Sequence, residues 1–150
     1  MTIAAGPADH VPELLDGIGV SLAYFGVGAL VLALGFVMLD LLTPGSLRHH
    51  VFVDHRPNAA ALFAASAISL AIIVVTVMTN ASDSLVLGLI DVAVYGLLGV
   101  LFQAVTLVIL EILVPGRFRD LVSAPRFSTA TFAVAATLLA VAAVNAAAIA

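Results

Sequence analysis

The sequence predicts an all-α membrane protein in which four transmembrane helices are built as two parallel repeats of a two-helix hairpin. Three observations carry this: composition, four apolar stretches of spanning length, and a repeat at a separation of 71 positions. Apolar residues make up 63% of the chain and charged residues 9%, against roughly 45–50% and about 25% in soluble domains. Lipid is therefore the solvent for most of the surface. The 150 residues read as a single integral membrane domain, because each apolar stretch takes up the ~20 residues that a spanning helix needs. The absence of cysteine excludes disulfides, thiolate metal sites and cysteine nucleophiles. The net charge is -4 and no basic cluster reaches the ~4–8 residues of a polybasic segment, so the partner is the lipid bilayer and not nucleic acid.

Residues 1–17, with Asp9, Glu13, Asp16 and two prolines, lack the positive start of a signal peptide and read as a short outer tail. The first span is expected at 18–42, stopped by Thr43-Pro44-Gly45. After a polar loop over 43–57, Pro57-Asn58 opens the second span at 58–79, with the Asn58 oxygen as N-cap. Asn80-Ala81-Ser82-Asp83 forms the next turn. The third span is expected at 92–114, with 85–91 as a candidate interfacial extension, and it halts at Pro115-Gly116. The fourth runs over 128–150. All five basic residues are arginines in two loops: Arg48 and Arg56 in 43–57, and Arg117, Arg119 and Arg126 in 115–127. By the positive-inside rule those loops are cytoplasmic and both termini lie outside.

The repeat aligns Tyr24 with Tyr95, Gly28 with Gly99, Asp40 with Glu111, Pro44 with Pro115, Gly45 with Gly116 and Arg48 with Arg119. Each unit, about 18–79 and 89–150, holds two spans, so both units enter the membrane from the same side.

The chain resembles the YjfL-like family of small four-helix bacterial inner-membrane proteins, a domain of unknown function, over residues 20–150. The matching residues are Asp40 with Thr43-Pro44, Asn58-Ala59-Ala60-Ala61, Asp91, Gln103 and Asn145-Ala146-Ala147. Pro57 stands where relatives often have glycine. The resemblance implies a duplicated hairpin, no established activity, a role for Asn58 and Asn145 among the family's polar positions, and a phage-shock PspA-type peripheral protein as a partner.

Few residues could carry chemistry. Asp40 and Glu111 lie four residues before their prolines, about 6 Å of helix rise from the stop, and an acid at a helix C-terminus opposes the macrodipole. Two readings follow: an interfacial clamp with Arg48 and Arg119, or a proton or cation site. Gln103, at the centre of the third span, calls for a hydrogen bond to another helix, with Ser66 and Ser69 at the same depth. His49, His50, Asp54 and His55 fit no closed metal pattern, so neither a metal nor any other cofactor is expected. Ala133, Ala136, Ala140, Ala143 and Ala147 allow close helix approach, within the bundle or in a homo-oligomer. Tyr24 and Tyr95 fit an aromatic belt. No nucleophile–base pair or phosphate loop points to an enzyme. The expected function is a homo-oligomeric scaffold or subunit of an envelope-associated assembly, with a small proton- or cation-coupled transporter using the repeated acids as the alternative.

Overall fold

A chain in hydrocarbon must satisfy its backbone amides internally, and the apolar stretches accordingly become long helices. The computed structural model describes residues 7–43, 47–113 and 118–150. It contains α1 (Pro7–Leu42), α2 (Leu47–Phe52), α3 (Pro57–Thr79), α4 (Leu85–Leu113), α5 (Phe118–Ser123) and α6 (Thr129–Ile149). Among the described residues there is no strand. Among the described residues, four segments are long and apolar enough to cross a bilayer: Val11–Leu42, Pro57–Thr79, Leu85–Leu113 and Thr129–Ile149.

The structure departs from the sequence reading at three places. The first helix begins at Pro7, not at residue 18, so the expected tail is largely helical. Proline suits the first helical position, where Pro7 stands, while Pro12 lies inside the helix. At 36 residues α1 is roughly 54 Å long, well beyond a hydrocarbon core of about 30 Å, and residues 11–22 are all exposed. The third span starts at Leu85, not at residue 92, and so takes in the interfacial extension. Ser84 starts it: its side-chain oxygen accepts from the Leu87 amide at 3.3 Å and its carbonyl from the Gly88 amide at 2.8 Å. Lastly, the two arginine-bearing loops are not simply polar, because each contains a short helix whose apolar side enters the core through Leu47 and Val122. The expected stops Pro44-Gly45 and Pro115-Gly116 lie outside the described residues.

Helices α3 and α4 run antiparallel through the middle of the bundle and touch each other. Both also contact α1 and α6, which lie on opposite flanks. The most extensive packing is between α3 and α6, followed by α1 with α4. The core divides by depth. At the arginine-bearing end, Leu39, Leu47, Ala59, Leu62, Leu107, Val122, Val134 and Leu138 bring all six helices together. Toward the other end, Val31, Leu70, Ile73, Val74, Val77, Val92, Val100 and Ala142 join the four long ones. Buried Ser66, Ser69 and Gln103 lie between these two clusters. Phe63 links the ends of three helices, stacked on Phe36 at 4.9 Å and edge-on to Phe52 at 6.0 Å.

Glycine sets the approach of α1 to α4. A Cβ at Gly96 would stand 2.9 Å from Val31 Cγ1 and 3.0 Å from Cγ2. Gly96→Leu should therefore push the helices apart and cost about 1–3 kcal/mol, the usual range for overpacking. Gly26→Leu, at a position with no atom within 4 Å of an added Cβ, should be neutral or stabilising, and equilibrium unfolding of both variants in detergent micelles checks the contrast.

Candidate functional site

The best-satisfied polar group in the bundle is Asn58. Proline at Pro57 has no N–H to cap, and the N-cap of α3 is Arg56, without a side-chain hydrogen bond. The expectation that Asn58 caps its own helix is thus corrected: it stands within the first turn and reaches outward to α6. Its Nδ2 donates to the carbonyls of Ala124 at 3.1 Å and Arg126 at 2.8 Å. Its Oδ1 accepts from the Ser128 amide at 2.9 Å and the Thr131 hydroxyl at 2.8 Å. A primary amide has two donors and an oxygen with two lone pairs, so this side chain, 0% exposed, is fully used. Ser128 is the N-cap of α6, its own side chain accepting from the Ala130 amide. Two acceptors therefore serve the start of that helix. Neither Ser128 nor Thr131 stood out in the sequence, because Ser-Thr-Ala-Thr at a helix start is ordinary capping chemistry.

At the same end, Asp40 meets Arg48. The carboxylate lies 3.3 Å from the guanidinium Nε and accepts the Arg48 backbone amide at 3.2 Å. That amide belongs to the first turn of α2, so an acid that is unfavourable at the C-terminus of α1 is favourable at the N-terminus of the next helix. The Arg48 side chain is 77% exposed, which limits the ion pair to about 0–1 kcal/mol. Glu111 is exposed and borders a different groove with Leu42, Thr43, Leu107 and Val108, whereas Asp40 lines a cavity of about 140 Å³ with Phe36, Leu47, Arg48, Phe52 and Phe63. The side chain of Arg119, the expected partner of Glu111, lies outside what the structure describes. In the turn after α2, His50 Nδ1 donates to Asp54 at 2.9 Å and His49 Nε2 lies 3.6 Å from the other oxygen. The hydrogen bond from His50 is the main reason the Asp54 carboxyl titrates below its ordinary range, with the charges of His49, His50 and Arg56 working the same way against partial burial. Among the described residues, no group of three or more His, Cys, Asp or Glu side chains is arranged to hold a metal ion.

Deeper in, Gln103 is 4% exposed and its Nε2 donates to the Ser66 carbonyl at 3.4 Å, a long bond that joins α4 to α3. Gln103 Oε1, Asn145 Nδ2 and the hydroxyl oxygens of Ser66 and Ser69 are buried without a partner among the described residues. At the far end Asp91, an acid of the third span, accepts from the Ser82 hydroxyl at 2.6 Å and its amide at 3.1 Å, tying the α3–α4 turn to α4.

Known proteins similar to this chain are also transmembrane proteins by name. The family described as Domain of Unknown Function (DUF350) matches residues 13–149. The chain belongs to that family. It is 43% identical over 149 residues to a UPF0719 transmembrane protein of Mycolicibacterium paratuberculosis, covering 99% of this chain and 98% of the relative. It is 53% identical over 136 residues to UPF0719 transmembrane proteins of Mycobacterium bovis and Mycobacterium tuberculosis, covering 91% of this chain and 90% of each relative. No solved structure matches the chain. This DUF350 member is therefore a multi-pass membrane protein.

The two polar junctions at the arginine-bearing end should differ sharply in cost. Asn58→Leu leaves two part-buried carbonyls, a part-buried amide and a buried hydroxyl without their partner, and should destabilise the bundle by about 2–5 kcal/mol. Arg48→Ala removes an exposed ion pair and should cost under about 1 kcal/mol. Unfolding titrations of the purified protein in micelles measure both, and similar costs for the two would contradict the structural ranking.

Proposed function

We propose that this chain is a non-enzymatic inner-membrane protein that assembles with copies of itself through α6 and serves as a scaffold or subunit of an envelope-associated assembly. The observation that carries the reading is a row of alanines on the outside of the bundle. Ala133, Ala136, Ala140, Ala143 and Ala147 are all exposed, and their alternating spacing of three and four is the seam of a left-handed helix pair. In lipid, helices associate where small residues let backbones approach. The contrast with α4 is direct. That helix turns outward a long series of large residues, including Leu97, Leu101, Val105 and Ile112, whereas on α6 Phe132 and Val144 are the large exposed residues among those described.

Two further features of the sequence reading belong to this proposal. The parallel duplication is supported by the 71-residue offset between the ends of the two short helices, Phe52 of α2 and Ser123 of α5. The inside-facing arginine loops are supported by positive charge confined to one end of the chain's hairpins. The transporter alternative loses support from Asp40, whose carboxylate is engaged with Arg48 and lines a different cavity from Glu111.

The cysteine-free chain makes both tests clean. Ala140→Cys should form a disulfide-linked dimer on mild oxidation in native membranes, while Leu97→Cys on α4 should not. Absence of crosslinking at all five alanine positions would remove the α6 interface. For orientation, Asp83→Cys should react with an impermeant thiol reagent applied outside intact cells and Val53→Cys should not, and the reverse pattern would invert the topology.

A further inference from the structure

We propose that the space enclosed by α3, α4 and α6 is an internal hydration site that holds one water molecule between the side-chain amides of Gln103 and Asn145. The site is built from polar side chains that the bundle buries. Gln103 is 4% and Asn145 8% exposed. Both line a cavity of about 10 Å³ together with Gly99 and Thr106, walled by apolar residues that include Ile73 and Leu138. That volume is about what a single water needs, and a water is retained where a roomy site also offers two or more polar partners. Here the partners are complementary. Gln103 Oε1 and Asn145 Nδ2 are each buried without a hydrogen-bond partner among the described residues, one an acceptor and the other a donor. A water donating to the first and accepting from the second completes both.

The rest of the Gln103 amide explains why the two side chains do not simply close on each other. Its Nε2 is directed to the Ser66 carbonyl on α3, which keeps the side chain turned toward that helix. Gly99 keeps the space open on α4: a Cβ there would already be 2.7 Å from Ile73 Cγ2 and 3.5 Å from Asn145 Nδ2. Polar surroundings recur at the end remote from the arginines. There a polar cavity of about 310 Å³, lined in part by Asn80, Ser82, Asp91 and Tyr95, lies between the same three helices. It is one helical turn from the hydration site along each: Val77 follows Ile73, Tyr95 precedes Gly99, and Ala148 follows Asn145. The inference does not depend on the scaffold reading, since hydration of these amides is a property of the single bundle.

The test uses the full chain in lipid nanodiscs, with side-chain amides labelled with nitrogen-15 and water as the probe. The Asn145 side-chain amide should show a dipolar cross-peak to a water of nanosecond or longer residence, distinguished from chemical exchange by its sign in the rotating frame. Gln103→Met, which keeps the bulk and removes the acceptor, should abolish that cross-peak. A wild-type protein with no such water contact, or with Asn145 bonded directly to Gln103, overturns the proposal. So does a cross-peak that survives unchanged in Gln103→Met. The wild-type spectrum decides by itself if the variant fails to fold.

Discussion

The bundle depends on a side chain that ties two helix starts into one unit. Asn58 is part of the first turn of α3, yet all four of its hydrogen bonds go to the segment that enters α6. In water such an amide could trade its partners for solvent at little net cost. Buried at 0% exposure, it has no such exchange available, so the α5–α6 connection must hold its two carbonyls and one amide in place for the structure to form. Ala59, also fully buried, lets α3 come close enough to α6 for those bonds to be made. The pairing of α3 with α6 is then propagated along both helices by apolar contact.

From that junction the bundle is organised by depth. The short helices α2 and α5 fold over the arginine-bearing end and insert Leu47 and Val122 into the same cluster that holds Leu62, Leu107 and Leu138. Arg48 stays on the rim, while the interior beneath it is apolar. Asp40 belongs to this rim, where it meets Arg48. Its carboxylate supports the first turn of α2, which offsets the unfavourable placement of an acid at the end of α1. Farther in, Ser66, Ser69 and Gln103 interrupt the apolar core between its two clusters. Hydrocarbon surroundings offer these groups no alternative partners, so their placement among three helices marks where the bundle carries internal polarity.

Much of this was legible in the chain, and what was not has a physical cause. The four spans followed from apolar length, since only a helix satisfies its backbone within a single segment in lipid. The start of α1 departs from the sequence reading because proline and acidic residues mark a tail in general, while Pro7 falls at the first position of a helix, where proline is tolerated. Asn58 is visible in the sequence as a polar position, but its sequence context suggests a local role. An asparagine at a helix start has its nearest candidate partners in its own backbone, and only knowledge of which helix lies alongside redirects it across 66 to 73 positions of sequence.

By itself, the sequence determined the solvent, the number of membrane helices, the concentration of arginine in two connections and the short set of polar residues in apolar surroundings. These are properties of composition and segment length, and they hold whichever helix packs against which. The tertiary structure alone decided that Asn58 joins α3 to α6, that Asp40 and Glu111 border separate spaces, and that the alanine row of α6 faces out of the bundle. Each of those depends on helix pairing and rotation about the helix axis. A helix with nearly uniform hydrophobicity around its circumference carries little local signal for either, so close approach at glycine and a few directional hydrogen bonds settled them.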